Sequence, residues 1–204
     1  MTKEEPLYKF EDENFCICDK ELAIDFCEAI PKELPTICEL FPGVTGYLTL
    51  SRPDGTLVQR CAYVRGELHG PSYTYYRNGQ VASERWFVQG KYHGRALDFS
   101  ESGKLLCRKG FVQGRLQGSY KKWYETGTIQ CSGGFLHGFP HGQFTLYHDD
   151  GLSLRSTDFS HGRRHGIDYG WTEDGFLIFC EKWREGEKVK DISVDFFQQC
   201  FTRR

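Results

Sequence analysis

Histidine, cysteine and clustered basic side chains are the residues of this chain that could do chemistry. Four histidines, His69, His93, His141 and His165, stand a multiple of 24 residues apart, with Gln117 filling the one gap. HGFPHG and HGRRHG each add a second histidine four residues away. A zinc ion needs its donors about 2.0–2.3 Å from one point, so these residues form a metal site only if the fold converges them. Cys16, Cys18, Cys27 and Cys38 contain a Cys-x-Cys step that matches no common zinc module, and they read as free or buried thiols. No Gly-x-Ser-x-Gly elbow, phosphate loop or His-Glu-x-x-His occurs, so no enzymatic activity is expected. Arg108, Lys109, Arg115, Lys121, Lys122, Arg163 and Arg164, interleaved with Trp123 and Tyr124, could meet anionic headgroups or an acidic protein segment.

What positions all of these is a repeat. Gly46, Gly70, Gly94, Gly118, Gly142 and Gly166 open six stretches of 24 residues, and two further glycines follow at positions 10 and 21 of each. Eighteen of the 23 glycines fall on these three positions, without insertions. The residue before the mid-repeat glycine is Asp54, Asn78, Ser102, Thr126, Asp150 or Asp174. Asp-Gly and Asn-Gly between apolar runs signal a β-hairpin, because glycine takes a positive φ without strain. The second glycine supplies a return turn, so the array reads as one antiparallel meander. Strands lie about 4.8 Å apart and repeats therefore step by about 10 Å, roughly 60 Å in all. That step holds His69, His93, His141 and His165 too far apart for a common ion. It likewise forbids a disulfide between Cys107 and Cys131.

Position 6 is aromatic in five repeats (Tyr75, Phe99, Trp123, Tyr147, Trp171), with Ser51 the exception. Position 12 is mostly aliphatic, and position 18 is always aromatic: Tyr63, Phe87, Phe111, Phe135, Phe159, Trp183. A three-residue loop, a type I turn closed by a left-handed glycine, would put all three sets on one face by simple alternation. The expectation is one apolar stripe and a polar opposite face.

The unit resembles the MORN repeat, in its variant form from antitoxin-like and other small repeat proteins, over residues 46–189. Tyr75 to Gly79, Trp123 to Gly127 and Trp171 to Gly175 carry the resemblance, together with Phe-x-x-Gly-x-x-x-Gly at Phe87 to Gly94, Phe111 to Gly118 and Phe135 to Gly142. The family's usual unit is slightly shorter and has a Gly-x-Gly pair missing here. The resemblance implies a non-catalytic array serving protein contacts, sometimes membrane attachment.

The fold expected is mainly β: an elongated single antiparallel sheet of repeated hairpins, with short helical caps at both ends. An acidic N-terminal segment, residues 1–45, holds eleven acidic and four basic side chains. It reads as a partly helical cap, with a helix over DKELAIDFCEAI that stops at Pro31 and a disordered first dozen residues. The array occupies 46–189. Residues 190–204 read as a C-terminal capping helix with Asp191 as N-cap and Phe196, Phe197 and Phe201 on one face. The start lacks an apolar signal core and nine cysteines show no framework spacing, pointing to a reducing cytoplasmic setting, peripheral to a membrane or exported without a leader. No cofactor or metal is expected. The partner is expected to be another protein, a segment lying along Tyr75, Phe99, Trp123, Tyr147 and Trp171. The alternatives are acidic phospholipid and, as a special case, a toxin neutralised by an immunity protein. The charge balance is too mild for a dedicated nucleic-acid binder.

Overall fold

A computed structural model describes residues 7–12, 17–18 and 43–192. They form strands β1 (Leu7–Asp12), β2 (Ile17–Cys18), β3 (Gly46–Ser51), β4 (Leu57–Val64), β5 (Glu67–Tyr75), β6 (Val81–Val88), β7 (Lys91–Phe99), β8 (Leu105–Val112) and β9 (Arg115–Leu116). They continue as β10 (Gly118–Trp123), β11 (Ile129–Leu136), β12 (Phe139–Pro140), β13 (Gly142–Tyr147), β14 (Ser153–Ser160), β15 (Arg163–Trp171), β16 (Leu177–Arg184) and β17 (Glu187–Asp191). The chain divides into two units, residues 1–104 and 105–204. The first is an antiparallel meander from β3 to β7, and β1 pairs with both β3 and β2. The second runs antiparallel from β8 to β17, with β9 and β12 as short returns from β8 and β11.

The mid-repeat turn has the expected form. Gly55 N–H donates to Arg52 O at 2.9 Å, Arg52 N–H donates to Thr56 O at 2.8 Å, and Gly55 sits at φ 83. The return turn was only partly foreseen. Arg65, Gln89, Gln113, His137, His161 and Glu185 all join their glycines at positive φ. Two consecutive left-handed residues make a type I′ turn, whose twist matches that of the strands.

One irregularity overturns the expected stripe. Leu50 pairs with Gln59 but Ser51 pairs with Leu57, which leaves Val58 as an extra residue. The same skip leaves Ala82, Gln130, Leu154 and Ile178 unpaired at position 13 of their hairpins. A bulge of one residue reverses alternation beyond it. Positions 6 and 12 therefore lie on the even face, with positions 2, 4, 15, 17, 19 and 22. Position 18 lies on the odd face, with positions 1, 3, 5, 14, 16 and 23. Ring contacts agree: Trp171 stacks on Tyr169 of position 4 at 5.5 Å, while Phe135 and Phe159 pack on Phe144 of position 3. The even face is not uniformly polar either, since Tyr47, Trp86 and Val112 are exposed there.

Other end-segment expectations also change. Residues 7–12 are not disordered but form β1, and residues 190–191 belong to β17 rather than to a helix. The proposed helices over DKELAIDFCEAI and residues 193–204 lie outside the described residues.

Candidate functional site

Adjacent repeats lock together through their turns. The N–H at position 21 donates to the carbonyl at position 23 of the preceding repeat: Gly90 to Leu68 (2.9 Å), Gly138 to Leu116 (2.8 Å), Gly162 to Pro140 (2.8 Å), Gly186 to Arg164 (2.9 Å). The N–H at position 20 donates to the preceding position-24 side chain: His137 to Gln117 Oε1 (2.9 Å), His161 to His141 Nδ1 (3.5 Å), Glu185 to His165 Nδ1 (3.4 Å). Val44 O and Thr45 Oγ1 play these parts for the first repeat. His141 and His165 are thus turn acceptors; Gln117 does the same job, which is why it can fill the gap.

The thiols are not armed. Cys107 and Cys131 flank Lys122, one on each neighbouring strand, so they stand about 10 Å apart. Burial pushes the Cys61, Cys131 and Cys180 thiols above the ordinary range, and a thiol so shifted is a poor nucleophile. Cys16, Cys27 and Cys38 lie outside the described residues.

On the odd face of the second unit the rings form a packed strip. Phe144 meets Tyr120 (5.9 Å), Phe135 (5.5 Å) and Phe159 (6.1 Å) between centroids. It lies over Gly133, where a Cβ would come within 2.2 Å of its ring. One repeat later position 3 is Asp168, with no exposed surface. Arg155 grips its carboxylate through Nε (2.9 Å) and Nη2 (2.6 Å), Thr157 Oγ1 donates at 2.8 Å, and Arg164 Nη1 is 3.6 Å away. Arg164 also lies over the Trp183 ring at 4.6 Å. Burial pushes this carboxyl up, but the bonds from Arg155 and Thr157 and both guanidinium charges outweigh it, holding Asp168 below the ordinary range. Nothing in the sequence pattern announced this cluster, since position 3 already varies through Leu48, Ser72, Ala96, Tyr120 and Phe144.

The even face carries the five aromatic candidates. Tyr75, Phe99, Trp123, Tyr147 and Trp171 are all half-buried. In the first unit Phe99 O accepts from Tyr76 Oη at 2.7 Å, and burial raises the Tyr75 phenol. Nearby, Glu84 accepts from Trp86 Nε1 (3.1 Å) and Arg95 Nε (2.9 Å). In the second unit Tyr147 Oη lies 3.3 Å from Ser132 Oγ, and Tyr147 O accepts from Tyr124 Oη at 2.8 Å.

The seven basic candidates do not form one patch. Arg108, Lys121, Arg115 and Arg163 fall on the even face, whereas Lys109, Lys122 and Arg164 fall on the odd face. Arg164 is engaged by Asp168. Arg108 and Lys121 are exposed and directly opposed across β8 and β10, with no acidic partner among the described residues. Like charges facing each other across a pair of strands repel.

Comparison with known proteins agrees with this architecture. Residues 68–86 match the family model of the MORN repeat variant. No curated protein matches the chain. The matched stretch contains all of β5 but Glu67, a mid-repeat turn and most of β6, and the same hairpin recurs along the array.

Proposed function

We propose that this array of MORN-type hairpins is a non-catalytic scaffold that binds a segment of another protein across its even face. One observation carries the reading: in the second unit the row Trp123, Tyr147 and Trp171 shares a face with the opposed, acid-free pair Arg108 and Lys121. Half-buried rings offer contact area at low entropic cost, and the cation pair selects carboxylates or another anion. The Cys61 and Cys131 thiols, buried with raised pKa, and His141 and His165, used as turn acceptors, are in keeping with a binding role.

Lys121 and Lys122 make the test. They are adjacent, alike and exposed, but point to opposite faces. A photo-crosslinking residue at 121 should trap one defined partner, and the same residue at 122 should not. Equal trapping at both sites would refute the even-face reading. Acidic phospholipid is the second reading, favoured by the gathering of Arg108, Lys121, Arg115 and Arg163 on one face. It predicts salt-sensitive pelleting with anionic vesicles that Lys121→Glu abolishes and Lys122→Glu leaves intact.

A further inference from the structure

The last two repeats depart from the others at their outer corner. Position 11 is Thr56, Gln80, Lys104 and Thr128 in the first four repeats, then Leu152 and Phe176. Position 13, the bulge residue, is half-buried in the first four repeats (Val58, Ala82, Leu106, Gln130) and is an exposed aliphatic, Leu154 or Ile178, in the last two. These four are exposed: Leu152 44%, Leu154 39%, Phe176 70%, Ile178 56%. Leu152 and Leu154 flank the start of β14, and Phe176 and Ile178 flank the start of β16. The two strands are separated by β15 alone, so the pairs stand about 10 Å apart. Large apolar side chains that are exposed in these two columns only in the last two repeats, at the end of an array, mark a surface that something covers.

The course of the chain says what covers it. In regular repeats two extra residues enter at the opening glycine, so that Cys61 pairs with Ser72 after Tyr63 pairs with Leu68. After the sixth repeat that glycine is missing and only one residue is added: Trp183 pairs with Lys188, then Lys182 with Lys190. Ile192 N–H closes on Cys180 O at 2.8 Å. There the chain is heading down β16, two residues from Ile178 and four from Phe176, or about 7 and 13 Å along the strand. The next twelve residues, SVDFFQQCFTRR, hold Phe196, Phe197 and Phe201. Twelve residues reach about 18 Å as a helix, enough to cross from β16 to β14.

We infer that residues 193–204 fold back on the fifth and sixth repeats of their own chain, seating Phe196, Phe197 and Phe201 on Leu152, Leu154, Phe176 and Ile178. This dock gives those corner positions a reason to expose large apolar side chains only where the chain returns.

A benzophenone-bearing phenylalanine at Phe176 in the full-length chain tests this, since that ring is exposed and its replacement leaves the strand pairing intact. Irradiation at low concentration should yield monomers carrying a link from residue 176 to a peptide within 193–204. Links that appear only in dimers would assign the corner to a second copy and overturn the inference. So would the absence of any link to 193–204. Hydrogen exchange on the triple variant Phe196→Ser, Phe197→Ser, Phe201→Ser provides the second reading. Amides 176–180 should exchange roughly tenfold faster or more, while those of β10 to β13 keep wild-type rates. Unchanged exchange at 176–180 would overturn the inference as well.

Discussion

Phe144 and Asp168 occupy the same position of consecutive repeats and fill the same space by opposite means. Phe144 lays a ring over Gly133 and touches three other rings. Asp168 is a carboxylate with no exposed surface, clamped by Arg155, Thr157 and Arg164. The difference shows that the repeat specifies a backbone and leaves the odd face negotiable, provided each choice at position 3 is matched across the strand. Gly133 makes room for the ring at position 16, whereas Thr157 at the equivalent place donates to the carboxylate.

The largest break should come from Asp168→Ala. It leaves two guanidinium groups facing an empty slot, and losing one partner of a buried pair costs about 3 kcal/mol; thermal unfolding of the variant beside wild type measures it. Removing both sides, with Arg155→Met and Asp168→Leu together, should recover most of that loss, and failure to recover would mean the cluster does more than neutralise itself. Next in size is Gly133→Val. Its side chain enters the Phe144 ring, and overpacking of this kind costs about 2 kcal/mol, read from urea midpoints; Phe144→Ala in the same chain should relieve the clash.

Acid separates the two sites by charge. Because the folded pKa of Asp168 lies below its ordinary value of 3.8, its contribution is complete at neutral pH and is lost as pH falls through that lowered pKa. Stability of wild type relative to Asp168→Asn should therefore be flat from pH 7 to about 5 and should shrink below about 4. A difference that grew on acidification would contradict the clamp. The smallest effect belongs to Thr157→Val, which removes one donor of several at a cost of about 1 kcal/mol. A larger loss would place the hydroxyl, rather than the arginine, at the centre of the site.

Much of the fold is written in glycine. The period, both turns and the antiparallel meander follow from three positions where a left-handed backbone is needed. The position-13 bulge left no such mark, for Val58, Ala82, Gln130, Leu154 and Ile178 share neither size nor polarity. Its consequence was nevertheless large, since it moves Tyr75, Trp123, Tyr147 and Trp171 to the face opposite Phe87, Phe135 and Phe159. The basic residues were legible as a cluster in sequence but not as two sets. Neighbours such as Lys121 and Lys122 diverge by the pleat alone. The turn role of His141 and His165 was out of reach for a related reason, because the acceptor and its donor lie 20 residues apart in different repeats.

Those turns give the array a direction. Within each unit the return glycines Gly90, Gly138, Gly162 and Gly186 borrow an acceptor from the repeat before, and Val44 and Thr45 lend theirs to the first. At these return turns, a cut that removes an earlier repeat strands N–H donors on its successor, whereas a cut that removes a later one strands acceptors there, which water satisfies at an exposed loop. As the chain leaves the ribosome, each emerging hairpin meets a neighbour already holding out the oxygens and nitrogens it requires. The return turns of each unit can then close like a zip drawn from one end, with no such turn waiting on a repeat not yet made.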